Sequence, residues 1–93
     1  MPKYLIENPD NTEEFRIDTS TEAMNVAYAL ALGVDPKKYG IDPFEAAALI
    51  HHVRDFALET KRSCLIISCD EALRRLAPDI QLFAIQIEKE REN

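Results

Sequence analysis

The chain opens with two short stretches in which apolar and polar residues half-alternate. Tyr4-Leu5-Ile6-Glu7 and Glu14-Phe15-Arg16-Ile17-Asp18 follow the period-two pattern of strands. That pattern predicts core faces made of Tyr4 with Ile6 and of Phe15 with Ile17. Asn8-Pro9-Asp10-Asn11-Thr12, between them, is dense in turn formers, so a β-hairpin is expected. Thr19-Ser20-Thr21-Glu22 then sets an acid three residues after a hydroxyl, in the manner of a capping box. A helix from Ala23 to Leu32 should follow, closed by Gly33 as its C′ residue. It is apolar nearly all round, with Glu22 and Asn25 as its main polar side chains, and so should be well buried.

Val34 to Asp42 reads as a loop, with Asp35-Pro36, Gly40 and Asp42-Pro43 as its punctuation. Asp42 suits an N-cap and Pro43 the first helical position, which predicts a second helix running to about Thr60. On a 100° wheel its main apolar stripe is Ala46, Leu49, Ile50, Val53, Phe56 and Ala57. Glu45, His52, Asp55 and Glu59 make a polar strip. Phe44, Ala47, Ala48, His51 and Leu58 make a weaker second face, which is either covered by the fold or offered to a partner.

Beyond Lys61-Arg62-Ser63, the unbroken run Cys64-Leu65-Ile66-Ile67-Ser68 predicts a central strand covered on both sides. Cys69 to Leu76 reads as a short helix with acids first and bases last, stopped by Pro78. Ile80 to Ile87 places Phe83, Ile85 and Ile87 on one parity, which predicts a last strand. Residues 88–93 should fray. The expected order is ββααβαβ: a single α+β domain over residues 1–93, with a four-stranded mixed sheet and helices packed on it.

Composition narrows the function classes. The 93 residues allow one modest core, and 46% hydrophobic with 30% charged residues excludes a disordered chain. The longest apolar run, Val26 to Val34 with Gly33 allowed, falls short of the roughly 18–20 residues that cross a bilayer. The start has no apolar stretch of signal-peptide length, so a cytoplasmic protein is expected. Net charge is −6, and residues 1–22 hold six acids against two bases. Such a chain repels phosphate backbones, so direct nucleic-acid binding is not expected and a basic protein surface is the natural partner.

Candidate chemistry is sparse. Gly33 and Gly40 are the only glycines, so no glycine-rich phosphate loop exists, and no G-x-S-x-G nucleophile elbow occurs. Cys69 is expected where a strand hands over to a helix N-terminus, a place that lowers a thiol pKa, and Cys69 to Arg75 has the C-x₅-R spacing of cysteine phosphatases. Asp70 and Glu71 inside that motif would repel a phosphate, so a small half-buried cysteine is the better reading. Cys64 and Cys69 at the ends of one strand would lie about 16 Å apart, too far for a disulfide or a shared metal. His52, Asp55 and Glu59 share one helix side at i, i+3 and i+7 but read as a solvated face with local ion pairing. Lys61-Arg62 and Arg74-Arg75 are too few bases for a nucleic-acid site in an acidic chain.

No catalytic residue, cofactor or metal is therefore expected. The residues point to a small acidic interaction module (an inhibitor, immunity protein, adaptor or regulatory subunit). Asp10, Glu13, Glu14 and Asp18 would meet the basic surface of its partner. The alternative is a structural homo-oligomeric subunit associating through Phe44, Ala47, Ala48, His51 and Leu58. A small thiol-dependent enzyme using Cys69 comes third.

Overall fold

The computed structural model describes residues 3–7, 15–17 and 20–91. Two three-residue strands, β1 (Leu5–Glu7) and β2 (Phe15–Ile17), pair antiparallel with Leu5 opposite Ile17 and Glu7 opposite Phe15. Three α-helices follow: α1 (Thr21–Ala31), α2 (Pro43–Glu59) and α3 (Ser63–Arg91). A 3₁₀ turn at Pro36–Tyr39 breaks the connection between α1 and α2. The expected α+β domain with a four-stranded mixed sheet is thus overturned. Helices pack on helices, and the only described strand pairing is the short ribbon.

The error lies in the last third of the chain. The expected strand Cys64–Ser68, the short helix after it and the strand Ile80–Ile87 are one helix of 29 residues, and Pro78 lies inside it. Leu65, Cys69, Ala72, Leu76, Ile80, Phe83 and Ile87 step by four, three, four, four, three and four. That is the helical period sustained over six turns, and these seven residues are the buried or half-buried ones of α3 along that line. Ile67 and Ile85 interrupt any strand reading, because both point outward, 59% and 50% exposed. Residues 88–91, expected to fray, complete the helix. At 1.5 Å per residue α3 is about 43 Å long, close to the 46 Å long axis of the molecule.

The other helix ends follow from local chemistry. Ser20 caps α1, its Oγ accepting from the Ala23 N–H at 3.3 Å, so Glu22 stands one position before the acid of a capping box. Gly33 closes α1 at φ 108°. The Val34 N–H bonds the Ala29 carbonyl and the Gly33 N–H bonds the Leu30 carbonyl, the paired bonds of a Schellman ending. Asp42 Oδ1 accepts from the Glu45 N–H at 2.8 Å and starts α2 with Pro43 in its first turn. The same Schellman bonds close α2, from Arg62 to Ala57 and from Lys61 to Leu58, with Lys61 at φ 56° in the place usually taken by glycine.

The core lies between the three helices. Ala23, Val26, Ala27, Leu30 and Ala31 of α1 meet Ala46, Leu49, Ile50 and Val53 of α2 and Cys69, Ala72 and Leu76 of α3. Tyr4 and Ile41 seal its ends, and Leu5 packs against it. Ile6, expected beside Tyr4 on the core face, is 45% exposed. The inward parity of β1 thus runs through Leu5, and Tyr4 is buried just before the strand begins.

Pro78 removes the helical donor to the Arg74 carbonyl and crowds it. Pro78→Ala should therefore raise the unfolding free energy by about 1–3 kcal/mol, read from urea denaturation. An unchanged or lowered stability would mean that the helix is broken there.

Candidate functional site

Two adjoining depressions, of about 230 and 270 Å³, run between α3 and the segment from Gly33 to Pro43. They share Asp35, Pro36, Leu76 and Asp79. The first has an apolar floor of Leu30, Ile50 and Ala72, and the second is lined by Ile41, Leu82 and Phe83. Arg75 overhangs the first, close enough to Gly33 that a Cβ there would sit 3.2 Å from its guanidinium. Neither lining contains a histidine, cysteine, serine or threonine. The groove is shaped to take an apolar side chain beneath a rim of mixed charge, and its lining holds no hydroxyl or thiol nucleophile and no imidazole base.

Cys69 is not at a helix N-terminus. It lies within α3, fully buried, and burial first and then the neighbouring Asp70 carboxylate push its thiol pKa up, against an opposing pull from Arg54. The helix start expected at Cys69, which would have lowered its pKa, is overturned by that placement. Cys64 is exposed on the same helix, and both thiols are free. The strand argument that separated them does not hold, because they share a helix. Asp70 accepts from Arg54 Nε at 2.7 Å, tying α3 to α2, and this partner raises the Arg54 pKa. With both side chains partly exposed, the pair contributes little to stability.

Glu45, expected on the polar strip of α2, is instead buried. Its Oε1 accepts from the Lys3 N–H at 3.0 Å and its Oε2 from the Tyr4 N–H. One carboxylate thus holds the start of the described chain against the first turn of α2. Lys3 Nζ adds a bond to the Tyr39 carbonyl at 3.2 Å. The signal was present in the sequence: Asp42-x-x-Glu45 has the capping-box spacing, with its acid turned to another segment's donors. Ser68 Oγ makes a similar link, donating to the Ala31 carbonyl at 2.7 Å, one of the acceptors left open at the end of α1.

The remaining expected residues divide as follows. Asp10, Glu13, Glu14 and Asp18 lie outside the described residues. On α2, Phe44, His51 and Leu58 are exposed, and Ala47 and Ala48 are half-buried. Phe44 meets Phe83 of α3 edge to face, ring centres 5.0 Å apart. Phe56, counted in the main stripe, sits at its edge, 37% exposed, against Tyr28 of α1 and beneath the Arg62 guanidinium. Among the described residues no three His, Cys, Asp or Glu side chains are placed to hold a metal ion, so His52, Asp55 and Glu59 do not form a centre. Nor is any described helix long and apolar enough to cross a membrane.

No family model, curated protein or solved structure matches this chain.

Two outcomes follow from the placement of these groups. Iodoacetamide should label Cys64 in the folded protein and Cys69 only on unfolding, as read by mass spectrometry; equal labelling of both would contradict the packing of α3. Because the folded Cys69 pKa is raised, its neutral thiol favours the fold fully below the unfolded thiol's pKa. That contribution should be lost as pH rises through the raised value, so Cys69→Ala should flatten the alkaline loss of stability.

Glu45→Ala should cost about 2–4 kcal/mol, because it strands the buried Tyr4 donor and leaves the part-buried Lys3 donor without its acceptor. A loss below about 1 kcal/mol would show that the segment is not held by this carboxylate.

Proposed function

We propose that this chain is a small acidic interaction module, of the inhibitor, immunity, adaptor or regulatory-subunit kind, that binds a basic surface of a protein partner. The observation that carries the reading is the surface of the helical body. Leu32, Phe44, Leu58, Ile67, Leu82 and Ile85 are all more than 40% exposed. The concave part of that surface has apolar floors and no hydroxyl or thiol nucleophile. Apolar area of this kind marks places where proteins meet. Net charge of −6 sets the sign of the partner.

No enzymatic activity, cofactor, membrane contact or direct nucleic-acid binding belongs to this reading. Burial of Cys69 removes support from a thiol-dependent enzyme. A cytoplasmic setting fits two free thiols. A second reading, a structural subunit that self-associates through α2, is favoured by the exposure of Phe44, His51 and Leu58.

The test uses a partner recovered by crosslinking and pull-down from the source cells. Its association rate with this chain should fall steeply as salt is added. Changing Asp10→Lys, Glu13→Lys and Glu14→Lys together should leave the helical circular dichroism intact and slow association by about tenfold or more. An unchanged rate in the folded triple variant would leave the acids with a role in solubility alone.

A further inference from the structure

The inward line of α3 makes the core, and its outer flank carries Glu71, Arg75, Pro78, Leu82, Ile85 and Lys89, every one exposed, with Arg75 and Leu82 also at the rim of the groove. At 100° per residue these six fall within a strip about 80° wide, and from 71 to 89 the strip is about 27 Å long. Leu82 and Ile85, 61% and 50% exposed, are its apolar centre together with Pro78. Charges stand at its two ends, Glu71 at one and Lys89 at the other. An apolar centre within a charged rim is the anatomy of a protein interface.

We propose that a second copy of this chain covers this face, the two α3 helices lying antiparallel about a two-fold axis at the level of residue 80. The order of charges selects both the occupant and its direction. In a parallel pair each residue meets itself, so Glu71, Arg75 and Lys89 would each face a like charge. In the antiparallel pair Glu71 meets the partner's Lys89, nine residues to either side of the axis. Pro78 meets the partner's Leu82, and Ile85 stands level with the partner's Arg75. Two-fold symmetry makes each of these contacts twice. The outward face of α2 has no such self-complement, since its Asp55 shares the strip of Phe44, Ala48 and His51 with no lysine or arginine. This inference goes beyond the basic-partner reading and stands or falls apart from it: that reading is probed at Asp10, Glu13 and Glu14, this one on α3.

Sedimentation velocity of the full 93-residue chain over a wide concentration range tests it. The unaltered protein should reach twice the mass of one chain. Leu82→Lys, at an exposed position, should remain monomeric with unchanged circular dichroism. Glu71→Lys and Lys89→Glu alone should each weaken dimerisation by about tenfold, since each sets two like-charge pairs into the contact. The two reversals together restore opposite signs and should return the dimer to within about threefold of its original strength. The proposal is overturned by a monomer at every concentration, or by a dimer that survives Leu82→Lys. It is equally overturned by a dimer that Leu58→Lys on α2 disrupts instead, or by a double reversal no stronger than the single ones. Should Leu82→Lys lose helicity, the charge reversals decide alone, because Glu71 and Lys89 are both exposed.

Discussion

The rest of this molecule depends on α2 having to bury one stripe against two helices at once. Ala46, Leu49, Ile50, Val53 and Ala57 are all essentially inaccessible, and they lie on a single face. α1 closes that face from the side of Phe56, where Tyr28 meets its ring. α3 closes it from the side of Arg54, which Asp70 holds. Ala23, Ala27 and Ala31 of α1 are equally closed to water, so helix contact here is made by small side chains at close range with Leu30, Leu49, Ile50 and Val53 filling between them. Burying each of those larger side chains contributes about 1.5–3 kcal/mol, which for a chain of this size is a large share of its net stability. The terminal segment joins the same helix by a polar device, the Glu45 carboxylate, because β1 is too short to hold itself.

That arrangement accounts for the open surface. A three-helix core consumes one face of each helix and leaves the others to solvent. On α2 the residues left over are Phe44, His51, Asp55 and Leu58, and on α3 they are Glu71, Arg75, Leu82 and Ile85. The groove beside α3 exists because Gly33 and the 3₁₀ turn at Pro36–Tyr39 carry the chain away from α1 before α2 begins. Its floor is the outer edge of the core itself, Leu30, Ile50 and Leu76, so any ligand in it would touch the residues that hold the helices together.

The first two helices were legible because their ends are written in local chemistry. Asp42-Pro43 and Gly33 act through their own backbone geometry, whatever the rest of the chain does. α3 was not legible for the opposite reason. Leu65-Ile66-Ile67 is an unbroken apolar run with two β-branched residues, which suits a buried strand, and Pro78 is a breaker by local rules. From Ile80 to Ile87 both periods fit, one through Phe83, Ile85 and Ile87, the other through Ile80, Phe83 and Ile87. Only the longer line from Leu65 to Ile87 separates them, and Pro78 stands in the middle of it. Burial against α1 and α2 outweighed both the strand propensity and the proline. The site suffered with it. The case for a reactive Cys69 needed a helix start that does not exist, and the burial of Glu45 is not legible locally because its partners, the Lys3 and Tyr4 backbone, lie some forty residues away.

The core, the groove and the outer face of α3 all depend on residues 63–91 being one helix. Backbone chemical shifts by NMR test that directly, residue by residue. The account predicts helical Cα shifts without interruption from Ser63 to Arg91, save the local perturbation around Pro78, with the slowest amide exchange near Cys69, Ala72 and Leu76 where the core is driest. Extended shifts over Cys64–Ser68 and again over Ile80–Ile87, with cross-strand contacts between them, would contradict it and restore a sheet.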